Sequence, residues 1–243
     1  MSTLTAQRLC FLARTIAKGP GYAVESGEFL NSILEELAQN YDFDVIKSVY
    51  HFNFNDAGYT GSGPYPLPAN WYRGIDEDIF YTINGVPYPM INIELKEFDN
   101  LVQQSGITSY PNAYATDMSQ SPPVMYVWPP SSGSYPVTAR YFTRPATITT
   151  PETSSQIPWF PASNYLIRRL AGEMMALTND DRMALYLGDT DPDKDTAGSA
   201  ASLLRSYLKM KDDRGGKVHK VTLDRRNFGR GFARLPNTKT IGW

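Results

Sequence analysis

The hydrophobic period of this chain changes twice, and those two changes constrain the fold more than any single residue. Leu9, Leu12, Ala13, Ile16 and Ala17 recur at helical spacing, and Lys18-Gly19-Pro20-Gly21 supplies a C-terminal charge and a stop. Leu30, Ile33, Leu34, Leu37 and Tyr41 form a second helical stripe, with Ser26 placed as its N-cap ahead of Glu28. At Asp44 the period drops to two: Val45 to Phe54 alternates and is rich in β-branched and aromatic residues, as a strand requires. Helical spacing returns after Pro161, where Ser163 can cap a helix carrying Leu166, Leu170, Met174 and Leu177. No amphipathic helix buries its stripe alone, so the terminal helices are expected to pack together around an inserted β region. The expected class is α+β.

Within the β region, residues 55–70 read as a loop, and Trp71–Ile75 and Ile79–Ile83 as strands. Asn84-Gly85 is a two-residue hairpin signal, so Val86–Ile93 should return antiparallel. Ile93–Val102 reads as a short helix. Val124–Trp128 and Val137–Phe142 should form a second hairpin across Pro129–Ser134. Further on, Asp180-Asp181 opens a short helix through Met183 and Leu187. A loop from Gly188 to Asp195 precedes a helix bearing Ala197, Ala200, Ala201, Leu204, Tyr207 and Leu208. The expected organisation is a helical hairpin over 1–42, an antiparallel β domain over 43–150, helices packing on the hairpin over 151–213, and an extended arm over 214–243.

Composition limits the chemistry. A chain of 243 residues with 42% apolar side chains can build a real core, and no apolar run approaches the length of a membrane span. Met1–Thr5 lacks a basic leader and Arg14 interrupts the apolar stretch, so no secretory signal and no membrane partner are expected. Cys10 is the single cysteine, and His51 and His219 are the two histidines, a poor supply for metal or Ser-His chemistry; no cofactor is expected. Cys10 lies on an apolar helix stripe and reads as a small buried hydrophobe rather than a nucleophile. His51, among Phe52 and Phe54, reads as a half-exposed strand histidine rather than a base. Asp189, Asp191, Asp193 and Asp195 alternate as in a calcium loop, but the sixth-position glycine and twelfth-position glutamate are missing, so they read as loop and capping acids. Glu94 with Glu97, or Glu35 with Glu36, is a carboxylate pair with no spacing that defines a sugar-sized cleft. Gly58, Gly61 and Gly63 lack the Gly-Lys-Ser/Thr that completes a phosphate loop.

The charge is uneven. Of 23 Lys/Arg and 25 Asp/Glu, eight basic residues and one acid, Asp224, lie from Arg214 onward, which leaves an acidic body and a basic tail. The tail ends in a mixture of arginine, glycine and phenylalanine. Such a segment can bind nucleic acid through phosphates and stacking, or lie across an acidic partner protein with its aromatics as anchors. Protein docking is the favoured reading. Lys217, Lys220, Arg225, Arg226, Phe228, Arg230, Phe232, Arg234 and Trp243 are its candidate contact residues, and the arm is expected to order only when docked.

The order of features over residues 65–210 resembles a known family. Leu67-Pro68-Ala69-Asn70-Trp71-Tyr72-Arg73 precedes a hairpin ending in Pro89-Met90, then Ile93-Glu94-Leu95-Lys96-Glu97-Phe98-Asp99-Asn100-Leu101. Pro123 to Pro130, Tyr135 to Pro145 (closing on Tyr141-Phe142-Thr143-Arg144-Pro145), Trp159, Leu166 to Glu173 and Asn179-Asp180-Asp181-Arg182 follow. This succession resembles the head-to-tail adaptor proteins of tailed bacteriophages, especially the tail accessory or head-completion rings of short-tailed phages. The resemblance implies a structural virion protein at the head–tail interface, made in the host cytoplasm, and no catalysis. It implies a ring of about twelve copies between the portal protein and the tail nozzle or hub proteins, with double-stranded DNA passing through. The readings from other classes are a virion-associated cell-wall hydrolase and a DNA-binding protein acting through the arm.

Overall fold

A computed structural model describes residues 4–56, 61–103, 108–189, 191, 193 and 195–214. Two helices open the chain, α1 (Ala6–Ala17) and α2 (Ala23–Asn40). Thr5 caps α1 by accepting the Arg8 N–H, and Lys18 ends it in the left-handed region at φ 55°, so that Gly19 N–H reaches the Arg14 carbonyl at 3.0 Å. α2 starts one turn before the expected cap. Ser26 lies inside the helix, and its hydroxyl donates to the Ala23 carbonyl at 2.6 Å rather than accepting from a free N–H. The buried Cys10 thiol donates to the Ser26 carbonyl at 3.6 Å, which makes Ser26 part of the α1–α2 seam.

The alternating stretch enters through a 3₁₀ turn at Asp44–Ile46 and continues as β1 (Lys47–Asn53). Then come β2 (Tyr65–Pro66), β3 (Trp71–Ile83), β4 (Val86–Pro89), β5 (Ile91–Asn92), α3 (Leu95–Val102), β6 (Ala113–Asp117), β7 (Val124–Trp128) and β8 (Pro136–Thr143). They make two four-stranded sheets, ordered β1-β8-β3-β4 and β2-β7-β6-β5. The two strands expected at 71–75 and 79–83 are one strand, with register shifts on either side of Gly74. The β3–β4 hairpin forms as expected, with Asn84 at φ 49° and Gly85 at φ 84°, the paired positive angles that select Asn-Gly.

Tyr65–Pro66, inside the stretch expected as a loop, forms the short strand β2 against β7, and three further expectations fail here. The return strand does not run to Ile93: Pro89 is its last residue, and Ile91–Asn92 crosses to the second sheet to pair with β6 in parallel, so that pair breaks the antiparallel pattern. The second hairpin is absent, because β7 pairs with β6 and β2 while β8 sits centrally between β1 and β3. An inward face of Val137, Ala139 and Tyr141, all buried, needs neighbours on both edges, and long-range partners supply them. Finally β6, in the polar tyrosine-rich stretch, was not expected as a strand; its Ala113, Tyr114 and Ala115 are buried through small or aromatic side chains rather than β-branched ones.

Helices α4 (Ser163–Leu177), α5 (Met183–Leu187) and α6 (Ala200–Arg214) close the chain. Ala162, not Ser163, occupies the N-cap of α4, and Ser163 is its first helical residue. The helices from both ends share one core that includes Leu9, Leu30, Leu37, Leu166 and Met175. Each such side chain stabilises the fold by about 1.5–3 kcal/mol on burial. A second core around Trp71, Tyr81, Met125 and Val127 fills the space between the sheets. At one junction Phe160 is fully buried among Phe43, Trp159, Tyr165 and Tyr207, with ring centroids 5.2–5.7 Å away. That cluster ties α4 and α6 to the segment entering β1. The class is α+β, as expected.

Candidate assembly interface

Every sequence-selected contact residue, from Lys217 to Trp243, lies outside the described residues; the helix from which they extend is described. α6 begins at a network built from the alternating acids. The Asp195 carboxylate accepts from the Ser199 hydroxyl at 2.7 Å and the Asp189 N–H at 3.1 Å, and pairs with Arg205. Ser199 Oγ in turn accepts the Ser202 N–H at 3.1 Å, capping the helix. Asp189 and Asp191 accept the N–H groups of Asp191 and Asp193, which is turn chemistry. The Ser199 hydroxyl, with backbone donors and Arg205 behind it, holds the Asp195 carboxyl below the usual range.

Beside α6, the α4–α5 corner leaves apolar side chains in water. Leu177 and Leu185 are 48% and 54% exposed, and Met183 is exposed with them. The corner is held from within, since a Cβ added at Gly172 would meet Leu187 Cγ at 2.6 Å, so α5 lies directly on the α4 backbone. Asp180 fixes the turn leading into α5 by accepting from the Arg182 guanidinium and backbone, which depresses its pKa to about 2. The helical spacing that puts Leu177 on the packed stripe fails at this last residue of α4, which is half exposed, and the five residues of α5 hold too little pattern to show which side is unpartnered.

The β unit carries a different surface. Tyr88 stacks on buried Tyr81 at 5.5 Å, Tyr81 meets Tyr135 at 5.8 Å, and Tyr135 meets Tyr110 at 5.9 Å. Tyr88, Tyr110 and part of Tyr135 face solvent. Between the two units, Arg144 bonds Glu35 at 2.9 Å beside a cleft of about 240 Å³ lined by Asn31, Gln39, Tyr72 and Trp159.

The residues weighed for chemistry are dispersed. Burial pushes the Cys10 thiol pKa up, which keeps it protonated and fits a packing role. His51 is exposed, more open than expected, with Nδ1 3.2 Å from Thr138 Oγ1. Glu35 and Glu36 are bonded to different arginines, Arg144 and Arg169. Glu94 and Glu97 are exposed at the start of α3. Among the described residues no group of three or more His, Cys, Asp or Glu is placed to hold a metal, and no helix is long and apolar enough to cross a membrane. What the arrangement offers is surface: an apolar helical corner, an aromatic row, and a capped helix leading to a basic segment.

A family model described as SU10 adaptor protein matches residues 6–220, covering both the helical and the β units. No curated protein sequence matches the chain.

Proposed function

The chain belongs to the SU10 adaptor protein family, phage head-to-tail adaptors with a structural role in the virion, and from that premise we propose that it works as a ring between the portal protein and the tail. About twelve copies surround a channel through which double-stranded DNA passes, and tail nozzle or hub proteins attach below. The observation that carries this reading is the family match, because it spans the two cores together rather than one of them. The exposed α4–α5 corner supports it, since apolar side chains left in water at one corner suit burial against another subunit. The basic arm beyond α6 would tie each copy to the portal protein or to its neighbour through Phe228, Phe232 and Trp243, flanked by Lys217, Lys220, Arg225, Arg226, Arg230 and Arg234. An acidic body suits such a channel, because negative walls do not hold phosphates.

The test is to mix the protein with its portal protein and weigh the products by native mass spectrometry. The full chain should be monomeric alone and become a ring on the portal. Removal of residues 215–243 should leave it folded but weaken that assembly strongly. Paired alanines at Phe228 and Phe232 should weaken it more than paired alanines at Arg225 and Arg226, because rim charges contribute little beside buried aromatics. A closed ring formed without portal overturns the assembly order. Undiminished portal binding by the truncated chain removes the arm from the interface.

A further inference from the structure

The aromatic row on the β unit has a physical complement within the chain itself. Elsewhere the protein's arginines cover its rings: Arg8 lies over Phe11, Arg73 over Phe142, Arg140 over Phe80 and Arg168 over Tyr186, at 4.5–5.8 Å. Among the described residues, no cation sits on Tyr88, Tyr110 or Tyr135, although Tyr110 is 56% exposed. The row is fixed rather than adaptable. Tyr88 is stacked on the buried Tyr81, and Tyr135 lies so close over Gly133 that a Cβ there would meet its hydroxyl at 2.9 Å. Pro87, Pro89 and Pro136 are exposed alongside it, so the surface is apolar and short of backbone donors.

Beyond α6 the sequence alternates with period two: Arg226, Phe228, Arg230, Phe232 and Arg234 are separated by Asn227, Gly229, Gly231 and Ala233. In any extended backbone the five large side chains share one face and the small residues take the other. Side chains on one face of an extended chain recur every ~6.6 Å. The ring centroids run Tyr88–Tyr81–Tyr135–Tyr110 in steps of 5.5, 5.8 and 5.9 Å, with Tyr81 buried beneath, so Tyr88 lies two steps from Tyr135 and Tyr110 one step beyond it. Arginine is the side chain that stacks on aromatic faces, and phenylalanine fills the steps between. The 12 residues from Arg214 to Arg226 let the segment start up to ~40 Å from the end of α6 when extended.

We propose that the segment Arg226–Arg234 of one copy docks on the Tyr88–Tyr135–Tyr110 row of a neighbouring copy, the row acting as a stacking platform for its arginines. This rests on the ring reading above and names the surface that receives the arm. Each contact is individually weak, so the segment engages only where assembly already holds the copies side by side.

The experiment uses the full chain with a benzophenone amino acid in place of Tyr110, assembled on the portal protein as an equal mixture of ¹⁵N-labelled and unlabelled copies. Ring formation is confirmed first by native mass spectrometry, and its failure counts against the ring reading and not against this one. In the formed ring, irradiation should give labelled–unlabelled crosslinks to the peptide holding residues 226–234. Crosslink yield should fall at least about fivefold with Arg226→Ala, Arg230→Ala and Arg234→Ala combined, since the segment then has no cation to stack on the rings. The same probe at exposed Val49, on β1 of the same unit, should give none. Crosslinks confined within one copy, crosslinks only to the portal protein, or equal yield from the triple variant would each overturn the proposal.

Discussion

Removing the ring of Phe160 tests the cluster that holds α6, and its magnitude follows from the geometry. The side chain is fully buried and meets four rings, Phe43, Trp159, Tyr165 and Tyr207, at 5.2–5.7 Å. A buried Phe→Ala change costs about 3–5 kcal/mol, and each aromatic pair adds about 0.5–1.5 kcal/mol beyond area burial. With four pairs lost together, Phe160→Ala should sit at the top of that range, at about 4–5 kcal/mol. Phe160→Leu keeps most of the apolar volume and loses only the ring geometry, so about 2 kcal/mol is expected. For a domain stable by about 5–15 kcal/mol, the alanine variant folds but is marginal. Urea unfolding followed by circular dichroism should show the midpoint falling by roughly 1.5–2 M for alanine, with the slope unchanged. A cost below about 1.5 kcal/mol for Phe160→Ala would show that the site collapses easily and that the cluster is not what anchors α6.

Two further outcomes concern the exposed α4–α5 corner and the turn that leads into it. Leu177→Asp with Leu185→Asp should shift unfolding by less than about 0.5 kcal/mol each, since both side chains are exposed, yet should abolish ring formation by native mass spectrometry. Asp180 has its folded pKa lowered to about 2 by the Arg182 hydrogen bonds, so its contribution is present above the ordinary carboxylate pKa of about 3.9 and is lost as pH falls toward about 2; the acid limb of a thermal-melt profile should flatten over that interval in Asp180→Asn.

How far the sequence could be read depended on whether local chemistry chose the partner. The Asn84-Gly85 turn was legible because its backbone angles are set by two residues and need nothing distant. The helical stripes were legible because Leu9, Leu30 and Leu166 repeat over several turns, enough to define a buried face. The pairing of β7 and β8 was not legible. Both segments look like hairpin arms, and only the competition among β1, β3 and β6 for their edges decides where each goes. Ser26 and Ser163 failed as caps because the helices start before them, about one turn earlier at Ala23 for α2 and with Ala162 as the cap of α4. Of the candidate site, the basic arm was visible as composition, whereas the α4–α5 corner and the tyrosine row exist only once Gly172 meets Leu187 and Tyr81 meets Tyr88 and Tyr135.

Strand β8 belongs to both cores: Val137, Ala139 and Tyr141 face the sheets' interior, while the next residue, Phe142, is buried with the helices. Its end is fastened on either side, with Thr143 bonded to the Ile46 carbonyl and Arg144 to Glu35. A pull that separates the helical and β units therefore acts along the axis of a central strand. The hydrogen bonds to β3 are then loaded in shear, all at once, rather than peeled one by one, while β1, whose entry end pairs with the exit end of β8, is pulled along with it. Such a joint resists tension far better than a flexible linker of the same length. In a particle whose packed DNA pushes outward, it would let each copy carry axial load as a tie rod and yield only when a whole strand slips.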